Sequence, residues 1–231
     1  MDTQPDTLRI GIYGAIANIA GILLSGPLGV ILVNLVHSNP PWQTPQLWAE
    51  NFHPIQTFPF YGGFLLLGGY VVMLAVTHQL AEAKDKIYTS IALIFTTVFV
   101  TLIFFNYIIQ STFLPALARD YRPEYDPIIT AFSFANPQAL CWAIEMWGYA
   151  LLGVATWLAA VVFNRNGIEK TTARLMVANG IISLAGGFVT AADLGWVLTA
   201  PGLVSYSVWN LLVFLMAIFF LLSLRKRLAA I

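Results

Sequence analysis

Charged residues divide this chain into long stretches that contain no Asp, Glu, Lys or Arg. Four such stretches, of 40, 31, 32 and 31 residues, cover 10–49, 51–81, 87–118 and 194–224. A helix needs about 20 apolar residues to cross the hydrocarbon of a bilayer, so each stretch is long enough. Two further apolar segments carry one acid each, Glu145 and Asp193. The pattern therefore predicts six transmembrane helices.

We number these helices as spans one to six in chain order. Their expected bounds are about 11–36, 57–80, 88–114, 137–163, 172–198 and 203–224. The chain is thus predicted to be all-α, a polytopic transmembrane helical bundle that forms a single transmembrane domain over residues 1–231. Pro27 predicts a kink in span one, because proline removes a backbone donor from a helix interior.

The composition excludes several other classes of protein. Hydrophobic residues make up 58% of the chain and charged residues only 10%. Spans such as 91–105 offer no polar face to water, which argues against a soluble helical bundle. The net charge is zero and no basic stripe is present, so no nucleic-acid partner is predicted. With three histidines and the single Cys141, no metal site and no cofactor are predicted within the membrane.

Lys and Arg are distributed unevenly between the two sides of the predicted bundle. Nine of them fall on the side of the termini: Arg9, Lys84, Lys86, Arg165, Lys170, Arg174, Arg225, Lys226 and Arg227. Only Arg119 and Arg122 fall on the other side. Because cytoplasmic loops collect basic residues, both termini are predicted to be cytoplasmic, in a plasma or inner membrane.

Polar side chains within spans three to six are expected to lie at similar depth. At about 1.5 Å of rise per residue, they fall about 6 to 12 Å below the outer end of each span. Polar groups in hydrocarbon are costly, so they are retained for packing or for function. The residues predicted to line an outward-facing pocket are Asn106, Gln110, Trp142, Glu145, Tyr149, Asp193, Trp209 and Asn210.

Glu145 and Asp193 have no Lys or Arg at their depth in any span. Each acid is therefore expected to be protonated, hydrogen-bonded to amides and indole N–H groups, or paired with a cationic ligand. Glu145 is expected to face the bundle interior and to approach Asn106 or Gln110 on span three, since a carboxylate facing lipid would be costly. The alternative is structural, because Asn and Gln often join membrane helices and Trp often anchors their ends.

Three functions are compatible with this pattern. The first is binding or transport of a small cationic or amphipathic molecule, since a carboxylate and aromatic faces both attract a cation. The second is a membrane enzyme of the isomerase or cyclase type, acting on a lipid or isoprenoid with Glu145 and Asp193 as catalytic acid and base. The third is an assembly or partner subunit. Small residues spaced four apart in span one would then form an oligomer interface: Ala17, Gly21, Ser25 and Gly29.

The predicted topology is tested by labelling single cysteines in intact cells with a membrane-impermeant reagent. Cysteines at Glu50 and Glu124 are expected to react from outside, and cysteines at Lys84 and Glu169 to be protected. The reverse accessibility would overturn the assignment of the termini to the cytoplasm.

Overall fold

A computed structural model describes residues 4–38, 40–163 and 167–231, and 87% of these residues are helical. Six helical segments are long and apolar enough to cross a membrane, which confirms the predicted transmembrane bundle. These spans are Gln4–Val36, Pro54–Leu80, Ala83–Arg119, Leu140–Phe163, Ile168–Ala192 and Ala200–Leu228. Arg165, one of the nine basic residues counted above, lies outside the described residues.

Ten α-helices make up these spans and the segments between them. In chain order they are α1 (Gln4–Ser25), α2 (Pro27–Val36), α3 (Pro45–Glu50), α4 (Phe58–Leu80), α5 (Lys86–Ile108), α6 (Leu114–Arg119), α7 (Asp126–Phe132), α8 (Leu140–Ala159), α9 (Ile168–Ala192) and α10 (Ala200–Leu228). A π-helical turn, Ile109–Phe113, joins α5 to α6. Short 3₁₀ turns include Pro54–Thr57 before α4 and Leu194–Leu198 before α10.

The six spans form a ring in chain order. Helices α1, α4, α5, α8, α9 and α10 each pack on the next, and α10 packs back on α1. Gly11 in the first turns of α1 lies against Leu224 near the end of α10. We call the end of the bundle that holds both termini the terminal face, and the opposite end, which holds α3, α6 and α7, the loop face. Which face is cytoplasmic remains a prediction.

Glycines allow neighbouring helices to approach closely. A Cβ atom on Gly21 of α1 would lie 2.3 Å from the backbone nitrogen of Leu66 on α4, and one on Gly69 would lie 2.5 Å from the backbone nitrogen of Asn18. At the same contact, the Asn18 amide donates to the Leu66 carbonyl at 3.0 Å. Such close contact replaces the hydrophobic effect, which does not act between helices in lipid.

The small residues predicted to form an oligomer interface serve at least partly within the chain. Gly21 packs on α4, as described above, and a Cβ atom on Gly29 would lie 3.2 Å from Pro59. Ala17 and Ser25 remain half-buried. An oligomer through this ridge therefore remains a prediction.

Span one is broken, as Pro27 predicted. Helix α1 ends at Ser25 and α2 begins at Pro27, with Gly26 between them. Proline at the first position of α2 needs no backbone donor, so the break costs little there. In the loop-face half, α2 packs on α4 and on the Pro54–Thr57 turn.

A charged anchor holds the spans together near the terminal face. The Arg227 guanidinium of α10 donates two hydrogen bonds of 2.9 Å to the Glu169 carboxylate of α9, and one of 3.0 Å to the Val162 carbonyl. Its charged carbon lies 5.3 Å from the centre of the Phe163 ring. Because Glu169 is buried here, a cysteine at that position would be shielded from both sides, and exposed Lys170 is the better topology probe.

Breaking this anchor is expected to destabilise the bundle. Arg227→Met leaves the Glu169 carboxylate buried without its cation, which should lower the free energy of unfolding by about 3 kcal/mol. Lys226→Met, at the exposed neighbouring position, is the control and should change it little. Denaturant unfolding in detergent measures both, and equal stability of the two variants would contradict this role.

Candidate functional site

Glu145 lies at the centre of a hydrogen-bonded cluster between α5 and α8. Its carboxylate accepts a hydrogen bond of 3.1 Å from the Asn106 amide and one of 3.0 Å from the Tyr107 hydroxyl. Only 9% of Glu145 is exposed. The predicted approach of Glu145 to Asn106, in the bundle interior, is thus confirmed.

Asn106 and Tyr107 are held in place by further contacts with α8. The Asn106 amide also donates to the Cys141 carbonyl at 2.9 Å, one turn before Glu145. The Tyr107 hydroxyl lies 3.2 Å from the Tyr149 hydroxyl, one turn after it. Since residues four apart share a helix face, α8 presents Cys141, Glu145 and Tyr149 together to α5.

The acceptors in this cluster outnumber its donors. The Asn106 carbonyl oxygen is buried and has no hydrogen-bond partner among the described residues. Arg and Lys side chains form salt bridges at Arg9, Lys84 and Arg227, all near the terminal face, and the described residues give Glu145 no cationic partner. A carboxylate and an unpaired amide oxygen therefore lie side by side in a region that water does not reach.

Aromatic rings from α4, α5 and α10 pack against the two tyrosines of the cluster. The Tyr149 ring meets Trp209 of α10 edge to face at 4.6 Å and lies 5.2 Å from Phe99 of α5. The Tyr107 ring lies 5.4 Å from Phe60 of α4. Of the predicted site residues, the structure thus brings Asn106, Glu145, Tyr149 and Trp209 together.

Gln110 and Trp142 hold the loop that covers the site. Gln110 lies in the π-helical turn, where its amide donates to the Phe132 carbonyl and its oxygen accepts from the Phe134 N–H at 3.4 Å. The Trp142 indole donates to the Phe134 carbonyl at 3.2 Å. Phe134 then packs between Phe60, at 5.9 Å, and Trp142, at 4.6 Å. We call Phe60, Phe134 and Trp142 the aromatic layer; it closes the cluster toward the loop face.

Asp193 and Asn210 lie apart from Glu145. Asp193 follows the last residue of α9, is exposed, and accepts a hydrogen bond of 3.0 Å from the Gly195 N–H as the cap of a 3₁₀ turn. It shares no hydrogen-bond partner with Glu145 among the described residues. Asn210 donates to the Tyr206 carbonyl of its own helix at 2.9 Å. The structure therefore does not join the two acids into one site.

Sequence reasoning missed two parts of the polar interior. Tyr107 was overlooked because tyrosine near a span end usually anchors in the interface, although it directly follows Asn106. The second part is a polar ladder that runs from Trp209 toward the terminal face. Within it, Trp209 donates to Ser183 at 2.9 Å, Ser183 to Asn179 at 3.3 Å, and Asn179 to Thr156 at 2.9 Å. The spacing of Asn179 and Ser183, four apart, was the available signal.

Two surface clefts lie away from Glu145. One of about 130 Å³ lies at the loop face between Trp42, Trp48 and Gln56. The other, of about 350 Å³, runs along the outside of α1 and α4 over Gly14 and Gly68. Neither is lined by a residue of the predicted outward-facing pocket.

Fold and site together define a polytopic integral membrane protein with a carboxyl group buried in the loop-face half of the bundle. No family model matches the chain, and neither the curated proteins nor the solved structures contain a significant match. The activity is therefore argued from the geometry of the cluster alone.

Removing the Gln110 amide is expected to loosen the loop that carries Phe134. Gln110→Leu keeps the size of the side chain but loses both loop hydrogen bonds, each worth about 0.6 to 1.7 kcal/mol in a membrane protein. Amide hydrogen exchange over 132–136 should then become at least about eightfold faster, as expected for a local loss of at least about 1.2 kcal/mol. Gln79→Leu, at an exposed position, is the control. Unchanged exchange would show that the aromatic layer alone holds the loop.

Proposed function

We propose that this membrane protein binds a small cationic or amphipathic molecule at the cluster of Glu145, Asn106, Tyr107, Tyr149 and Trp209. The observation that carries the proposal is the Glu145 carboxyl, buried against Asn106 and Tyr107 with no cation beside it in the described part of the chain. A buried carboxylate is strongly destabilising unless a positive charge compensates it. A cationic ligand supplies that charge.

The other groups in the cluster suit the same ligand. The unpaired Asn106 oxygen is an acceptor and repels an anion, whereas it stabilises a cation or a donor group. The faces of tyrosine and tryptophan attract cations through the ring quadrupole, by about 0.5 to 2 kcal/mol each. Tyr149 and Trp209 pack on each other next to the hydrogen-bonded cluster of the acid, so both rings are close enough to contribute. The acid, the amide oxygen and the rings therefore favour positive charge.

Binding is better supported than transport or catalysis. On the way from the site toward the terminal face, the polar groups of the ladder from Trp209 to Thr156 bond to one another, so they offer few free partners to a passing ligand. Acid–base catalysis with two carboxyl groups would need a second acid beside Glu145. Asp193 instead caps an exposed turn.

Two organic ions of matched shape and opposite charge test the proposal. Tetraphenylphosphonium and tetraphenylborate have similar size and hydrophobicity, so a difference in their binding to the purified protein reports on charge. We expect the cation to bind more tightly than the anion. Glu145→Gln should weaken binding of the cation by about tenfold or more, which corresponds to at least about 1.4 kcal/mol.

Glu124→Gln, which removes an exposed acid of the loop face, serves as the matched control and should leave binding unchanged. Circular dichroism and size exclusion show whether each variant folds. Equal binding of the two ions, or full retention of cation binding by folded Glu145→Gln, would overturn the proposed function.

A further inference from the structure

The ring of helices is incompletely closed beside α10, near the loop face. Tyr206, Val213 and Phe220 are seven residues apart, so they lie on the same face of the helix. Val213 and Phe220 are 0% and 1% exposed, as expected for a face that points into the bundle, whereas Tyr206 is 50% exposed. The interior face of α10 is therefore uncovered near the loop face.

The neighbouring residues of α10 agree with this opening. All residues from Leu203 to Val208 are exposed, although they cover almost two helical turns and hence every side of the helix. Below them, Asn210 lies beside Gly26, and the contact between α10 and span one is closed at that level. Leu203 lies on the same face as Asn210, seven residues nearer the loop face, yet it is 51% exposed.

The break in span one produces the gap. Helix α1 packs on both α4 and α10, whereas α2, which begins after the helix is interrupted at Gly26, packs on α4 and the Pro54–Thr57 turn. On α2, the apolar side chains of Leu28, Val30 and Ile31 are exposed. Among the described residues, α2 and α10 therefore share few contacts, and the Leu203–Val208 stretch has little packed against its span-one side.

A chain of contacts leads from this opening to the buried acid. The Tyr206 ring stacks near Trp209 at 6.4 Å, and Trp209 meets Tyr149 at 4.6 Å. The Tyr149 hydroxyl lies 3.2 Å from that of Tyr107, which donates to Glu145. Toward the loop face, by contrast, the aromatic layer and its hydrogen bonds to Gln110 and Trp142 close the cluster.

We infer that the ligand reaches Glu145 laterally from the bilayer, through the gap between α2 and the Leu203–Val208 stretch of α10. The inference rests on the proposed function and specifies its substrate class. The ligand is a membrane-dissolved amphiphile with a cationic head and an aliphatic tail. The head meets Glu145 and the aromatic rings, while the tail stays between the apolar side chains of α2 and Leu203, which lie at the level of the hydrocarbon.

Two probes with the same head group but different tails distinguish the routes. Dodecyltrimethylammonium partitions into the bilayer, whereas tetramethylammonium stays in water. Binding of each to the full chain in lipid nanodiscs is followed by tryptophan fluorescence, with Glu145→Gln defining the specific signal. We expect Glu145-dependent binding of the dodecyl probe and at least about tenfold weaker binding of tetramethylammonium.

Two tryptophan substitutions on adjacent residues test the gap itself. Leu203→Trp fills the side of α10 that faces α2, and should slow association of the dodecyl probe by about tenfold. Val204→Trp is the matched control, because Val204 lies about 100° around the helix from Leu203. It is 64% exposed and shares a face with Leu211, which is 58% exposed. The control substitution should leave the association rate unchanged.

The outcomes separate the two proposals. If neither probe shows Glu145-dependent binding, the proposed function fails. If both probes bind equally through Glu145, or if Leu203→Trp and Val204→Trp bind the dodecyl probe at the same rate, the site stands and the lateral route is wrong. A stable oligomer that buries Leu203 and Tyr206 would also overturn the lateral route.

Discussion

The structure depends on one constraint: hydrocarbon offers no hydrogen bonds, so polar groups within the bundle must find partners in the protein. Small polar side chains meet it locally, as Thr77 and Thr96 do by donating to the carbonyl four residues earlier. Larger ones meet it across helices, as Asn179 does on the Thr156 hydroxyl and the NH2 of Asn18 does on the Leu66 carbonyl. Close helix contact at glycines brings these donors within reach.

The two halves of the bundle satisfy this constraint to different degrees. Toward the terminal face, the ladder through Ser183 and Asn179 and the Arg227–Glu169 pair are closed sets of donors and acceptors. Toward the loop face, the Glu145 cluster combines, among the described residues, an acid without a cation and an amide oxygen without a partner. The other buried side-chain oxygens without a partner in the described part of the chain, on Asn18 and Tyr70, are single atoms with no acid beside them in the hydrogen-bond network. An incompletely satisfied polar network in a dry interior is costly, so its retention favours a functional role.

The loop face also combines rigid and open features around this cluster. The loop that carries Phe134 is hydrogen-bonded to Gln110 and to Trp142 of α8. Gln110 lies in the π-helical turn that follows α5. On the opposite side, beyond the break at Gly26, α2 packs on α4 and the Pro54–Thr57 turn and has few contacts with α10. The region of span one from Gly21 to Gly26 therefore allows close packing on α4 and also leaves one side of the ring uncovered.

The class of fold follows from the sequence alone, because each uncharged run is longer than the roughly 20 residues that a helix needs to cross a bilayer. The sequence also predicted the contact of Glu145 with Asn106, since the cost of an acid in lipid and the antiparallel pairing of spans three and four both follow from local pattern. The membership of the site depends on tertiary packing. The depth of a residue in the membrane does not specify the direction in which its side chain points from the helix axis. Asp193 and Asn210 were therefore expected at the depth of Glu145 but do not belong to its cluster. Tyr107 contacts the acid, Ser183 belongs to the ladder, and Tyr206 lies at the gap. These positions depend on the rotation of each helix about its axis in the packed bundle, which the sequence of a single span does not specify.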